Sequence, residues 1–190
     1  MEQTIKKETS LEDKRKLFAQ SGLIIAAVLL LCYFFGWTYI WNTGYGAEVG
    51  VNGWNYLIAF FSKGYKNVGA AFGDISHPFY SWAKYYTLVV SAMTFASFVI
   101  LLAYLGLSIA NSVKYKKVLE LVTIIVLYAL AIAYLACIIS ALVMNGSKIL
   151  AKYCSNNPQC SIATLAFFPF FITLITAIAH TVFYVKNERE

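Results

Sequence analysis

Charge is what this sequence has least of. Only 13% of its 190 residues are Asp, Glu, Lys or Arg, about half the share of an ordinary soluble domain. The few charges are also unevenly spread. None occurs from Leu17 to Ala47, from Tyr85 to Val113, from Leu121 to Ser147 or from Tyr153 to Val185. With 60% apolar residues the chain cannot be intrinsically disordered, which requires few hydrophobes and many charges. The same excess argues against a nucleic-acid-binding module, despite a net charge of +6.

Catalytic patterns are missing too. There is no Gly-rich phosphate loop, no His-Glu-x-x-His, no Gly-x-Ser-x-Gly and no pair of carboxylates placed to share acid and base roles. Histidine is nearly absent. His77 has Asp74 three residues before it, but its segment offers no further His or Cys, so a metal site is not expected. The reading is of a chain that is not an enzyme and carries no cofactor.

What is present is hydrocarbon in long runs. A bilayer core of about 30 Å requires about 20 residues of helix, and each charge-free gap is long enough. The sequence predicts an all-α membrane protein, a four-transmembrane-helix bundle. Its spans lie near 17–39, 85–110, 121–144 and 162–185, between a basic tail at 1–16 and a short tail at 186–190. Four such segments in a soluble core would leave too little polar chain to wrap them. The first span follows Lys14-Arg15-Lys16 but is longer than a signal-peptide core and lacks a small-residue cleavage site, so it is expected to be retained.

Ten of the fifteen Lys and Arg residues fall in the two tails and the connection between the second and third spans. The positive-inside rule then sets both termini in the cytoplasm and points to the cell (plasma) membrane. All four tryptophans, Trp37, Trp41, Trp54 and Trp82, fall on the outer side, as expected of an interfacial belt.

The first outer loop, 40–84, is too long for a simple turn and holds seven of the eleven glycines. Glycine permits unusual backbone angles, so a structured loop folded back on itself is expected. Within it Trp54, Leu57, Ile58 and Phe61 keep the i, i+3, i+4, i+7 spacing of an amphipathic helix. The reading is a short helix lying in the outer interface. A β-strand, with Val49-Gly50-Val51 leading into it, and a re-entrant turn are the rivals. These four residues and Trp82 are the candidate contacts for a membrane or extracellular protein partner. His77-Pro78 opens the approach to the second span, with proline suited to a helix start.

The second outer loop, 145–161, contains Cys154 and Cys160 around Asn-Asn-Pro. That turn lets the thiols approach, and on an oxidising side a disulfide is expected; two free thiols are the alternative. Asn145-Gly-Ser147 matches a glycosylation acceptor. Its place at the edge of the third span predicts that it stays unmodified.

Within the membrane, small residues let helices approach. Ala129, Ala133, Cys137 and Ala141 repeat every four residues in the third span, and Thr173, Ala177 and Thr181 in the fourth. Gly22 and Ala26 in the first span, with Ala92, Ala96 and Gly106 in the second, extend the set. A compact bundle follows, with the third and fourth spans adjacent and a weak leaning toward a homo-oligomer. Cys32 and Cys137 read as packing residues, and Pro169 is expected to bend the fourth span.

The second span carries a polar stripe, Thr87, Ser91, Thr94, Ser97, Tyr104 and Ser108, within an arc of roughly 140°. It either packs against neighbouring helices or lines a wet path in an oligomer. No charge lies well inside a span: Glu120 and Lys84 stand at ends, and His180 about one turn inside. Ion-coupled transport is therefore not expected, and His180 reads as hydrogen-bonded within the bundle.

The order of parts resembles that of claudin-like tetraspanning proteins: inner termini, a long aromatic first outer loop and a short second one. Gly53-Trp54 stands where that family has its tryptophan signature. The two cysteines that follow it there are absent, and the outer pair lies in the second loop. The resemblance covers topology alone, and a junction-forming role is not carried over. Small bacteriocin-immunity and phage-defence membrane proteins share the same gross layout. The functional expectation is a noncatalytic membrane protein acting through partner binding at its outer face, in assembly, sensing or immunity. The alternatives are an oligomeric conduit lined by the second span, and thiol–disulfide chemistry at Cys154 and Cys160.

Overall fold

In a bilayer core a backbone must satisfy its own hydrogen bonds, and a helix does so within one segment. Helices accordingly fill most of the computed structural model, which describes residues 2–35, 39–42, 48–51, 53–62, 78–114, 116–146, 159–162 and 167–188. In chain order the elements are α1 (Glu2–Phe35), β1 (Tyr39–Asn42), β2 (Glu48–Val51), α2 (Gly53–Ser62), α3 (Pro78–Val113), α4 (Lys117–Gly146), β3 (Gln159–Ile162) and α5 (Phe167–Glu188).

Among the described residues three segments are long and apolar enough to cross a membrane: Leu88–Val113, Lys117–Ser140 and Phe167–Lys186. A shorter apolar stretch, Leu17–Tyr33, lies in α1. The basic segment before Leu17 is helical, since α1 runs unbroken from Glu2 to Phe35.

The bundle is apolar on its outer surface as well as in its core. Ala19, Gly22, Ala26, Leu29 and Tyr33 are the buried line of α1, at alternating three- and four-residue steps. The buried line of α3 includes Ser91, Thr94, Ser97, Tyr104, Ser108 and Asn111. Outward-facing positions instead carry Ile24, Val99, Leu102, Ile109, Ile125, Ile132, Phe171 and Ile175. Hydroxyls inside and large aliphatics outside suit hydrocarbon as the surrounding medium. The fold is that of a helical membrane protein.

α4 packs against both α3 and α5, while α1 lies along α3. The expected adjacency of the third and fourth spans is therefore present. Thr173 and Ala177 are buried and Thr181 is half-buried. Three other expectations change. Ala92, Ala96 and Gly106 lie on the exposed face of α3, because the hydroxyl stripe takes the inner face. Pro169 does not kink a span. α5 begins at Phe167, so the proline stands in the first turn, where its missing N–H has no helical partner to lose.

The third change is a small sheet, which an all-α reading omits. β1 is central, antiparallel to β2 on one side and to β3 on the other. Tyr39 faces Val51 and Ile162, and Trp41 faces Val49 and Cys160. Tyr39 and Ile162, expected at span ends, are thus strand residues. Where a chain leaves the bilayer its helix is no longer obligatory, and β-branched and aromatic residues favour pairing. The sheet joins the segment after α1 to the segment before α5. Pro78 opens α3, as the His77-Pro78 pair predicts.

Candidate functional site

The bundle has two distinct ends. At the sheet end, α2 packs against α3 and α1. Gly53, Tyr56 and Leu57 are buried, and Leu57 belongs to the same core as Leu29, Tyr33, Leu101 and Tyr134. Phe60 stacks on Phe95 of α3 at 4.8 Å, with Phe61 meeting the same ring edge-on at 5.2 Å. The outer side of α2 presents Trp54, Ile58 and Phe61, 41%, 49% and 71% exposed.

The contact residues proposed from sequence therefore divide. Three face out, Leu57 faces in, and Trp82 sits in α3 with a side chain outside the described residues. The helix predicted over this stretch is present, and Val49-Gly50-Val51 forms the strand before it.

Beneath α2, Thr94 and Ser97 of the hydroxyl stripe bond within the bundle. Thr94 Oγ1 donates to the carbonyl of Val90 at 2.8 Å, and Ser97 Oγ to that of Thr94 at 2.8 Å. Ser97 has one proton and it is spent there, so in the 2.7 Å contact with Tyr33 the phenol donates. Ser91 Oγ has no hydrogen-bond partner among the described residues. The Thr87 side chain lies outside them. Cys154 also lies outside them, and Cys160 is described as a backbone position of β3, so their pairing is outside the described residues.

The other end gathers the polar groups that sequence reasoning left apart. Glu120 stands in the first turn of α4, where a carboxylate suits the helix dipole. It is buried, and its Oε1 lies 2.6 Å from Nδ1 of buried His180 on α5. Phe18 of α1 closes over the imidazole, with ring centroids 4.5 Å apart at 62°. Phe18 also stacks on Phe183 at 4.6 Å.

Next to this pair, Asn111 Nδ2 of α3 donates to Thr123 Oγ1 at 3.2 Å, while Thr123 donates to the carbonyl of Leu119. Asn111 Oδ1 is buried without a partner among the described residues. Lys117 Nζ lies 5.5 Å from the centroid of the Tyr184 ring. Every long helix thus contributes a side chain to this end.

Glu120 stands at a span end, as the sequence predicts, and the structure adds that it is buried there. Periodicity carried the missing signal. Glu120 shares a face with Leu127 and Tyr134, and His180 with Ala177 and Thr173.

Among the described buried side chains this end offers one carboxylate, Glu120, and one imidazole, His180. Among the described residues no three His, Cys, Asp or Glu come together as metal ligands. The pair makes a buried hydrogen-bonded tie between α4 and α5. No protein-family model, no curated protein and no solved structure matches this chain.

Proposed function

We propose that the chain is a noncatalytic protein of the cell-surface membrane, crossing four times with both termini inside. It works by binding a membrane or extracellular protein partner through its outer face, in an assembly, sensing or immunity-like role. The observation that carries this reading is the two-sidedness of α2. Its inner side is fixed to α1 and α3 through Leu57 and Phe60. Its outer side offers Trp54, Ile58 and Phe61, rigid apolar anchors of the kind that dominate interface centres. A helix locked to the bundle loses little freedom on capture, which favours affinity.

The charge distribution supports the orientation, since ten of fifteen cations fall on the side assigned to the cytoplasm. Self-association is also part of the proposal. Ala92, Ala96 and Gly106 are exposed on α3, and small side chains permit close helix approach.

The conduit alternative would require the stripe on α3 to meet water. Burial of Ser91, Thr94 and Ser97 within a single copy supports packing instead.

The decisive experiment is a detergent pull-down with the native membrane as source. Trp54→Ala with Phe61→Ala should abolish partner capture while leaving insertion and helix content unchanged. Unchanged capture rejects the contact surface.

A further inference from the structure

We propose that the crevice between α1 and α5, at the end of the bundle away from the sheet, is a binding site for an anionic phospholipid. Its volume is about 300 Å³, and Lys14, Leu17, Phe18, Ser21 and Phe183 line it. The wall is carbon apart from two groups. One is the Ser21 hydroxyl, which is already turned onto the Phe18 carbonyl at 2.6 Å. The other is the Lys14 ammonium.

Water enters a cavity where it finds two to four polar partners; this wall leaves it too few. A hydrocarbon segment needs none. The crevice opens on a bundle flanked by exposed Leu17, Ile24, Ile178 and Val182, so acyl chains are its immediate surroundings.

Position along α1 supplies the second half of the ligand. Lys14 precedes Ser21 by seven residues, about 10 Å of helix rise. A cation therefore stands at one end of an apolar slot, as a phosphate head stands above its chain. Charge complementarity selects a lipid with net negative charge. Lys14 is exposed, within a cluster that continues into Arg15 and Lys16.

Phe18, in the wall of the crevice, also meets His180 edge-on. A chain seated there presses on the ring that covers the Glu120–His180 pair. The site is independent of any partner at α2.

The test uses the purified full chain in detergent, titrated with phosphatidylglycerol and phosphatidylcholine of matched acyl chains and read by native mass spectrometry. One lysine at an anionic head corresponds to about fivefold preference, so the wild type should retain phosphatidylglycerol by that factor. Lys14→Gln should bring the two lipids level. Lys114→Gln, at an exposed lysine outside the crevice, should preserve the preference. Leu17→Trp, an exposed position whose larger ring fills the mouth, should lower retention of both lipids. Glycerol phosphate, which lacks chains, should not compete.

Equal retention of the two lipids by the wild type overturns the proposal. So does an unaltered preference in Lys14→Gln, an equal loss in Lys114→Gln, undiminished retention in Leu17→Trp, or competition by glycerol phosphate.

Discussion

His180 Nδ1 and Glu120 Oε1 lie 2.6 Å apart, sixty residues distant in sequence and both buried. Their bond ties α4 to α5 at the end where the sheet is absent. A buried pair gains little over an apolar replacement, but breaking it leaves an uncompensated polar group.

That asymmetry makes the first prediction. Glu120→Ala or His180→Ala alone should lower stability, with a cost of about 1–3 kcal/mol as expected for an unsatisfied buried partner. Glu120→Ala with His180→Ala should cost less than the sum of the two. Thermal unfolding in detergent, arranged as a double-mutant cycle, reads the difference. Additive losses would mean that the two side chains act independently.

The second prediction concerns the approach of α1 to α3. A Cβ built on Gly22 would lie 3.1 Å from Ser108 Oγ and 3.2 Å from Tyr104 OH, whereas Gly106 has nothing within 4 Å. Gly22→Leu should wedge the helices apart, costing about 1–3 kcal/mol. Gly106→Leu should stay within about 0.5 kcal/mol, as an open surface change does. Melting of the two variants in the same detergent checks the contrast. Equal loss in both would contradict the packing of α1 on α3.

The contrast also marks what the sequence made legible. Charge-free runs located the long helices, because a bilayer forbids isolated charges over about 20 residues. Pro78 marked the start of α3, and the hydroxyl stripe sat on one face before any packing was known. The sheet was not legible. Its strands are four residues long, and β3 joins β1 from across α2, α3 and α4. Nor was the division of α2. Trp54, Leu57, Ile58 and Phe61 share one broad face, but that helix is apolar nearly all round. Periodicity alone could not say that Leu57 would turn inward and Phe61 outward. The Glu120–His180 pair was hidden because its members lie sixty residues apart on different helices, and which helix faces meet is decided by packing.

A third prediction follows from the phenol at the other end of α1. Tyr33 donates to Ser97 and rests against Phe98 and Tyr134, with centroids 5.5 Å and 6.4 Å away. Tyr33→Phe removes the hydrogen bond and keeps the ring, so the loss should be about 1 kcal/mol. Tyr33→Ala also empties a buried ring volume, and about 3–5 kcal/mol is expected. Chemical denaturation in mixed micelles separates the two. Matching losses would indicate that ring packing at this site contributes nothing.

The last prediction decides between packing and conduction for the second span. Ser91, Thr94 and Ser97 are each wholly buried in a single copy, and Thr94 and Ser97 hydrogen-bond carbonyls of their own helix. Cysteine placed at any of the three should therefore resist a water-soluble thiol reagent in intact membranes, as should cysteine at buried Val90. The four native cysteines, Cys32, Cys137, Cys154 and Cys160, are replaced first, so that any labelling reports the introduced group. A conduit needs water beside those hydroxyls. Fast labelling at Ser91, Thr94 and Ser97, with Val90 protected, would move the assignment from partner binding to solute passage.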